Sequence, residues 1–444
     1  LKKVKGNMLS RAVGASLIGS TIEWYDFFLY GVVAGIVFNK LYFPAEDPIV
    51  STLLAYITFA VGFVARPIGG IIFGHFGDKI GRKSMLIMTL SIMGGSTVLI
   101  AVIPTYNQIG IWAPICLLFL RILQGIGLGG EWGGAVLMTF EHAPHKKRGL
   151  YASIPQIGLS MGLLLSSGIV GLLSSTLSDS QFMTWGWRIA FGLSAILIFL
   201  GLWIRLNVSE SPEFQNIKER NKESNMPIKD MWKNNTGNVL AGMGARFIDG
   251  VFFNVMGVFS ITYLTSSLDL SRTDALLGVS AAAFVMCFFI PLFGHVSDRV
   301  GRTRTYLIGS LVTGFSALPA FWIMSNSEGN ILLIWLSIII PFGIFYASIY
   351  GPEAALFAEL FDAPVRYTGM SFVYQFSGIF ASGLTPIIAT ALLGYNNGSP
   401  VLLTLYVLFA GVVSAISVWW IGKNKVKVTR NQNNIKSEIN SRKA

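Results

Sequence analysis

Gly74-His75-Phe76-Gly77-Asp78-Lys79-Ile80-Gly81-Arg82-Lys83 returns later in the chain as Gly294-His295-Val296-Ser297-Asp298-Arg299-Val300-Gly301-Arg302-Thr303. The copies lie 220 residues apart in a chain of 444. A second echo has nearly the same spacing: Glu141 and Arg148 match Glu359 and Arg366 at an offset of 218. Two unrelated signatures shifted by almost one distance imply duplicated halves. Both copies are flanked by almost purely apolar stretches, and a membrane protein built of two parallel repeats is expected to be a transporter.

Composition agrees. Hydrophobic residues make up 53% and charged residues 12%, about half the charge of a soluble chain. Mean hydropathy is +0.61. The first apolar stretch is long enough to span a bilayer and has no small-residue cleavage site, so no cleavable signal is expected. Cys116 and Cys287 fall inside expected spans and read as buried thiols, not a disulfide. The histidines, His75, His142, His145 and His295, lie at or beyond span ends, which leaves no imidazole at the membrane centre.

Stretches of about 20 or more apolar residues place twelve spans at 11–38, 50–75, 84–104, 110–140, 149–175, 188–206, 238–266, 273–295, 304–325, 331–357, 368–394 and 400–422. The chain is therefore expected to be an all-α membrane protein with two pseudo-symmetric six-helix bundles, 1–206 and 238–422. A charged linker, 207–237, would join them, and a Lys/Asn-rich tail, 423–444, reads as disordered. Of the 33 Lys and Arg, 27 fall on the side of the termini. The positive-inside bias puts both termini and the linker in the cytoplasm of a multi-pass cell-membrane protein. The net charge of +11 is thus a topology signal and predicts no nucleic-acid partner.

The repeated loop joins spans two and three, and again spans eight and nine. Asp78 and Asp298 sit just past a span end, with Arg82 and Arg302 following. A carboxylate there pairs with arginines or caps a neighbouring helix, holding the halves together on the cytoplasmic side. Asp78, Arg82, Asp298 and Arg302 are expected gate residues, together with Glu141, Arg148, Glu359 and Arg366.

The loop resembles the signature of the major facilitator superfamily, and Arg121-Ile122-Leu123-Gln124-Gly125 resembles its second motif. Three further stretches are similar to the metabolite:proton symporters: Glu23-Trp24-Tyr25-Asp26-Phe27, Gly129-Gly130-Glu131-Trp132-Gly133-Gly134 and Glu210-Ser211-Pro212-Glu213-Phe214. So are Tyr350-Gly351-Pro352-Glu353, Ala358-Glu359-Leu360-Phe361 and Arg366-Tyr367-Thr368-Gly369. The likeness covers about 1–422, and the first half reads most like shikimate-type transporters. The resemblance implies proton-driven uptake of small carboxylates, or alternatively of zwitterions such as proline and betaine, by alternating access.

Charges inside spans are costly and mark functional positions. Glu23 and Asp26, three apart in span one, read as one helix face and as proton carriers, because two close buried carboxylates favour keeping a proton. Arg121 in span four is expected either to pair with one of them or to fork a substrate carboxylate. Arg246 and Asp249 in span seven form a self-satisfied pair or a second binding site. Glu131 lies ten residues beyond Arg121, roughly 15 Å along the helix, and reads as a gate contact. Arg66, near the end of span two, is expected to snorkel, and Glu353 is left open. Tyr25, Tyr30, Gln124, Gln156, Asn254, Tyr346, Tyr350, Tyr374 and Gln375 complete an expected polar pocket.

No phosphate-binding loop, metal-ligand cluster or nucleophile–base constellation is present in the sequence. No cofactor, metal or enzymatic activity is expected, nor an ATP-driven pump formed by this chain alone. A drug antiporter of this fold would carry Gly-Pro after the glycines of span five, where Gly162 is followed by Leu163. A sugar porter would carry a double glutamine in span seven, where Arg246-Phe247-Ile248-Asp249 stands. The expected partners are a small-molecule substrate, protons and the lipid bilayer, with the chain working as a monomer.

Overall fold

A computed structural model describes residues 2–80, 82–129, 143–206, 227–361 and 366–441, with Trp132, Val136, Thr139 and Phe140. Among these residues every regular element is helical, as a bilayer requires of a chain that must satisfy its own backbone. Among the described residues ten helices are long and apolar enough to cross a membrane: α1 (Ser16–Leu41), α2 (Pro48–Gly70), α5 (His145–Thr176), α6 (Asp179–Trp203), α7 (Asn235–Ser267), α8 (Arg272–Val300), α9 (Arg302–Asn326), α10 (Ile331–Ala358), α11 (Thr368–Tyr395) and α12 (Val401–Asn424). Two shorter apolar helices, α3 (Ile87–Ile100) and α4 (Trp112–Leu128), stand where the third and fourth spans were expected.

Local chemistry sets several helix starts. Ser178 and Gln181 form a capping box, with Ser178 Oγ accepting from the Gln181 N–H, so α6 begins nine residues before the expected start at 188. Arg188 is therefore a helix residue and not part of a loop. Its Nη1 donates to the Ala101 and Ile103 carbonyls at 2.7 and 2.8 Å, satisfying the end of α3. Ser271 caps α8 and Asn330 caps α10.

The duplication is visible in the backbone. α1 carries a π-helical turn at Ala34–Phe38 and α7 carries one at Val255–Phe259, an offset of 221. Such turns are rare and cluster at functional sites. The halves meet along two seams, α5 against α8 and α2 against α11. Within the first half α2 and α4 cross closely at Gly62. A Cβ there would lie 2.6 Å from Arg121 Nε, so only glycine leaves room for the guanidinium.

Two expectations fail outside the centre. Cys116 is exposed on α4, because an uncharged thiol costs nothing on a face turned to lipid. The tail is helical: α12 belongs to a helix running from Val401 to Ser441. Extending a helix that is already packed avoids the cost of nucleation.

Candidate functional site

Seven carboxylate and guanidinium side chains are buried among the described residues: Glu23, Asp26, Arg66, Arg121, Arg246, Asp249 and Glu353. Four are acids and three are arginines. Each is at most 5% exposed.

The second-half cluster is the tighter one. Arg246 Nε lies 3.5 Å from Asp249 Oδ2 and 3.7 Å from Glu353 Oε1. Its Nη1 donates to the Tyr374 carbonyl at 2.7 Å and to Ser377 Oγ at 3.2 Å, and its guanidinium lies 3.5 Å from the Tyr374 ring centroid. Tyr346 donates its hydroxyl to Asp249 at 2.5 Å. Neither oxygen of Glu353 receives a hydrogen bond. The expected Arg246–Asp249 pair is thus a three-residue cluster in which two acids share one arginine.

In the first half, Arg121 donates through Nη1 to Gln124 Oε1 at 3.1 Å. Its guanidinium lies over the rings of Phe27 and Tyr30, 4.2 and 4.3 Å from their centroids. The direct Arg121–Asp26 pair is not formed, since neither Asp26 oxygen receives a hydrogen bond. Asp26 instead lies beside the hydroxyls of Thr97 and Ser194. Gln124 Nε2 donates to Thr97 Oγ1 at 2.7 Å, so the Arg121 network and Asp26 approach the same threonine, whose own hydroxyl donates to the Met93 carbonyl.

Glu23 and Asp26 also part company. Residues three apart are about 60° apart around a helix, enough here to turn Asp26 toward α3 and α6 and Glu23 toward Arg66. Arg66 does not snorkel. It is 2% exposed, with its guanidinium 4.1 Å from the Phe27 centroid and 4.3 Å from that of Phe63. Stacking on several rings makes the interior a better place for this cation than a distant membrane surface.

A central cavity of about 20 Å³ lies between the halves, room for roughly one water. Trp24, Phe28, Phe63 and Leu159 line it from the first half, and Arg246, Asp249, Asn254, Phe253, Tyr346 and Tyr374 from the second. Five expected binding residues therefore meet there: Arg246, Asp249, Asn254, Tyr346 and Tyr374. Tyr25 and Tyr30 do not line it; their hydroxyls are held by the Ala190 carbonyl and Thr58. Gln124 sits with Arg121 in the first-half network.

Both ends of the cavity are closed. On the side of the termini, Gln156 donates to the Tyr350 carbonyl at 2.7 Å and Gln375 to the Gly129 carbonyl at 3.3 Å. Trp132 stacks on Tyr374 with centroids 3.7 Å apart. These contacts put Gln156, Tyr350 and Gln375 in the seam, not the cavity wall. Further out, Asp298 accepts from the N–H groups of Gly149 and Leu150 at 2.8 and 3.0 Å. Arg302 pairs with both Asp298 and Glu359. Arg148 and Arg366 approach the same Phe140 ring. At the other end Tyr56 hydrogen-bonds Thr262 at 2.8 Å, Phe28 stacks on Phe253, and Asp179 pairs with Arg272. Glu131, Glu141 and the side chains of Asp78 and Arg82 lie outside the described residues.

Arg66, Glu353 and the aromatic lining of Trp24, Phe28 and Phe253 were not expected at the site. Both charges carried the necessary signal, being ionisable in apolar spans, but for Arg66 its apparent nearness to a span end masked it.

Comparison with known proteins is consistent with this geometry. Residues 12–245 match the family described as Sugar (and other) transporter, and residues 240–442 match the Major Facilitator Superfamily. The shikimate transporter of Escherichia coli (strain K12) is 38% identical over 409 residues, covering 92% of this chain and 93% of that protein. The proline/betaine transporter of the same strain is 32% identical over 421 residues, covering 92% and 83%. A crystal structure of a D-xylose-proton symporter shares the fold, with a TM-score of 0.73 at 19% identity over 92% of this chain and 97% of that one.

Proposed function

The chain belongs to the major facilitator superfamily, and within it we propose a proton-coupled symporter that imports a small carboxylate metabolite, with both termini in the cytoplasm. The observation that carries this reading is the buried charge set. Four acids face three arginines in a closed centre. Uncompensated charge away from water is expensive, so the closed carrier is neutral only with a proton aboard, and an anionic substrate calls for more. Arg246, the guanidinium on the cavity wall, is the substrate fork, with Asn254, Tyr346 and Tyr374 around it. Asp26 carries a proton in the first half, with Glu23 as its alternative. Arg121 senses Asp26 through Gln124 and Thr97. Asp298, Arg302, Glu359, Arg148 and Arg366 hold the cytoplasmic seam, and Asp78, Arg82, Glu131 and Glu141 are proposed to join them. The halves 1–206 and 238–422 rock about the cavity as a monomer.

A second reading is favoured by the rings around the cavity, which suit the quaternary ammonium of betaine. Against it, Arg66 already stacks on Trp24 and Phe63, so those faces hold a cation of the protein's own. Thermal-shift measurement on the purified protein separates the two. Shikimate-class carboxylates are expected to stabilise it and betaine is not. Arg246→Lys, which keeps the charge but loses the fork, should weaken carboxylate binding at least tenfold. Stabilisation by betaine or proline alone would favour the second reading.

A further inference from the structure

Glu353 has no task in the account so far. Its side chain is fully buried in α10, its oxygens receive no hydrogen bond, and the guanidinium within ion-pair distance, Arg246, is shared with Asp249. Its surroundings contain several titratable groups. From α7 come Arg246 and Asp249, from α9 Tyr306, from α11 Tyr374, and from α10 itself Tyr346 and Tyr350. α8 meets this turn with the Ile290 carbonyl and the Phe293 side chain, both near Gly351. Two of the phenols are committed elsewhere: Tyr306 donates to the Ala245 carbonyl at 3.0 Å and Tyr346 to Asp249. Asp249 is therefore held by both a hydroxyl and the arginine, while Glu353 has the arginine alone.

A substrate carboxylate arriving on Arg246 would be a third anion on one cation beside a cavity with room for roughly one water. Like charges at that distance do not all persist; one takes a proton or leaves. The less well-held acid gives way first. We propose that Glu353 occupies the substrate's ionic place on Arg246 in the empty carrier, and that it takes up one proton when a carboxylate binds there. This rests on the carboxylate reading above. The step moves one proton from water on the open side to a Glu353 oxygen, and the same proton returns to water when substrate leaves; no other bond changes. Glu353 thus sets the pH dependence of binding and carries one proton with the substrate, in addition to any that Asp26 carries in the other half.

The test is equilibrium binding of shikimate to the purified full-length protein across pH. Linkage of one proton makes the wild-type affinity rise about tenfold for each pH unit lowered, over the range in which Glu353 is ionised in the empty carrier. In Glu353→Gln, which mimics the protonated acid, affinity should be flat across that range and equal to the wild-type low-pH value. Asp249→Asn, in which the substrate is only the second anion on Arg246, should flatten the slope as well. A wild type that binds shikimate with no pH dependence overturns the inference and leaves the carboxylate reading intact. So does a Glu353→Gln variant that keeps the full slope. A folded wild type that binds no carboxylate at any pH overturns the carboxylate reading itself. Should Glu353→Gln fail to fold, calorimetry of the wild type in two buffers of different ionisation enthalpy decides. About one proton taken up per shikimate supports the proposal, and none overturns it.

Discussion

Asp26 is enclosed by α1, α3 and α6 beside the hydroxyls of Thr97 and Ser194, and the amide of asparagine has the same shape and keeps an oxygen that can accept from them. Asp26→Asn is expected to fold and to exchange substrate across the membrane at near wild-type rate. It should accumulate substrate under an imposed pH gradient at least tenfold less. Counterflow and gradient-driven uptake in vesicles check the two halves of that expectation. The apolar setting of Asp26, Arg121 and Arg246 was legible from single charged letters in hydrophobic runs. Their partners were not. Whether Arg121 meets Asp26 or Gln124 depends on about 60° of helix rotation and on the rings of Phe27 and Tyr30, and neither is encoded in residue spacing. Arg66 shows the same limit, since the sequence placed it near a span end and the fold surrounds it with aromatic faces.

At the scale of elements, the second copy of the repeated loop shows what its letters do. Gly294 lets α8 approach α5, where a Cβ on Gly149 would lie 2.5 Å from the Gly294 carbonyl oxygen and 2.7 Å from Arg302 Nη1. Four residues after Gly294, Asp298 takes the free N–H groups of Gly149 and Leu150 in the first turn of Arg148–Ser153. Losing such a cap costs about 0.5–2 kcal/mol, here at the expense of the closed seam on the side of the termini. Asp298→Ala should therefore shift the carrier toward the form open on the side of the termini by roughly tenfold, about 1.4 kcal/mol, while substrate affinity changes less than threefold. Gly149→Ala should act in the same direction and more strongly, because the added methyl has no room while the seam is shut. Accessibility of a single cysteine placed in the α5/α8 seam would report both; unchanged labelling in Gly149→Ala would argue against a seam that must close at this point. That the loop fastens one half to the other was legible from the duplication. That its aspartate works by capping backbone in the opposite half was not, since sequence does not say which helix end lies opposite.

The whole molecule is a duplicated bundle closed at both ends around a cavity too small for a metabolite. Its design was the most legible feature, because an offset near 220 residues survives in the loop signature and again in the π turns of α1 and α7. The closed state was not legible, because the contacts that join the halves lie between residues far apart in the chain, such as Tyr56 with Thr262 and Gln156 with Tyr350. A closed centre holding four acids and three arginines is the reason for the central claim that a proton accompanies a carboxylate through this carrier. The most direct test is shikimate accumulation by the wild-type protein in sealed vesicles, with the outside made one pH unit more acidic and the membrane potential clamped at zero. The inside concentration is expected to reach at least about tenfold that outside, the equilibrium for one proton per carboxylate, and to fall to equality when a protonophore is added. Uptake that stops at equal concentrations with the pH gradient intact would contradict it.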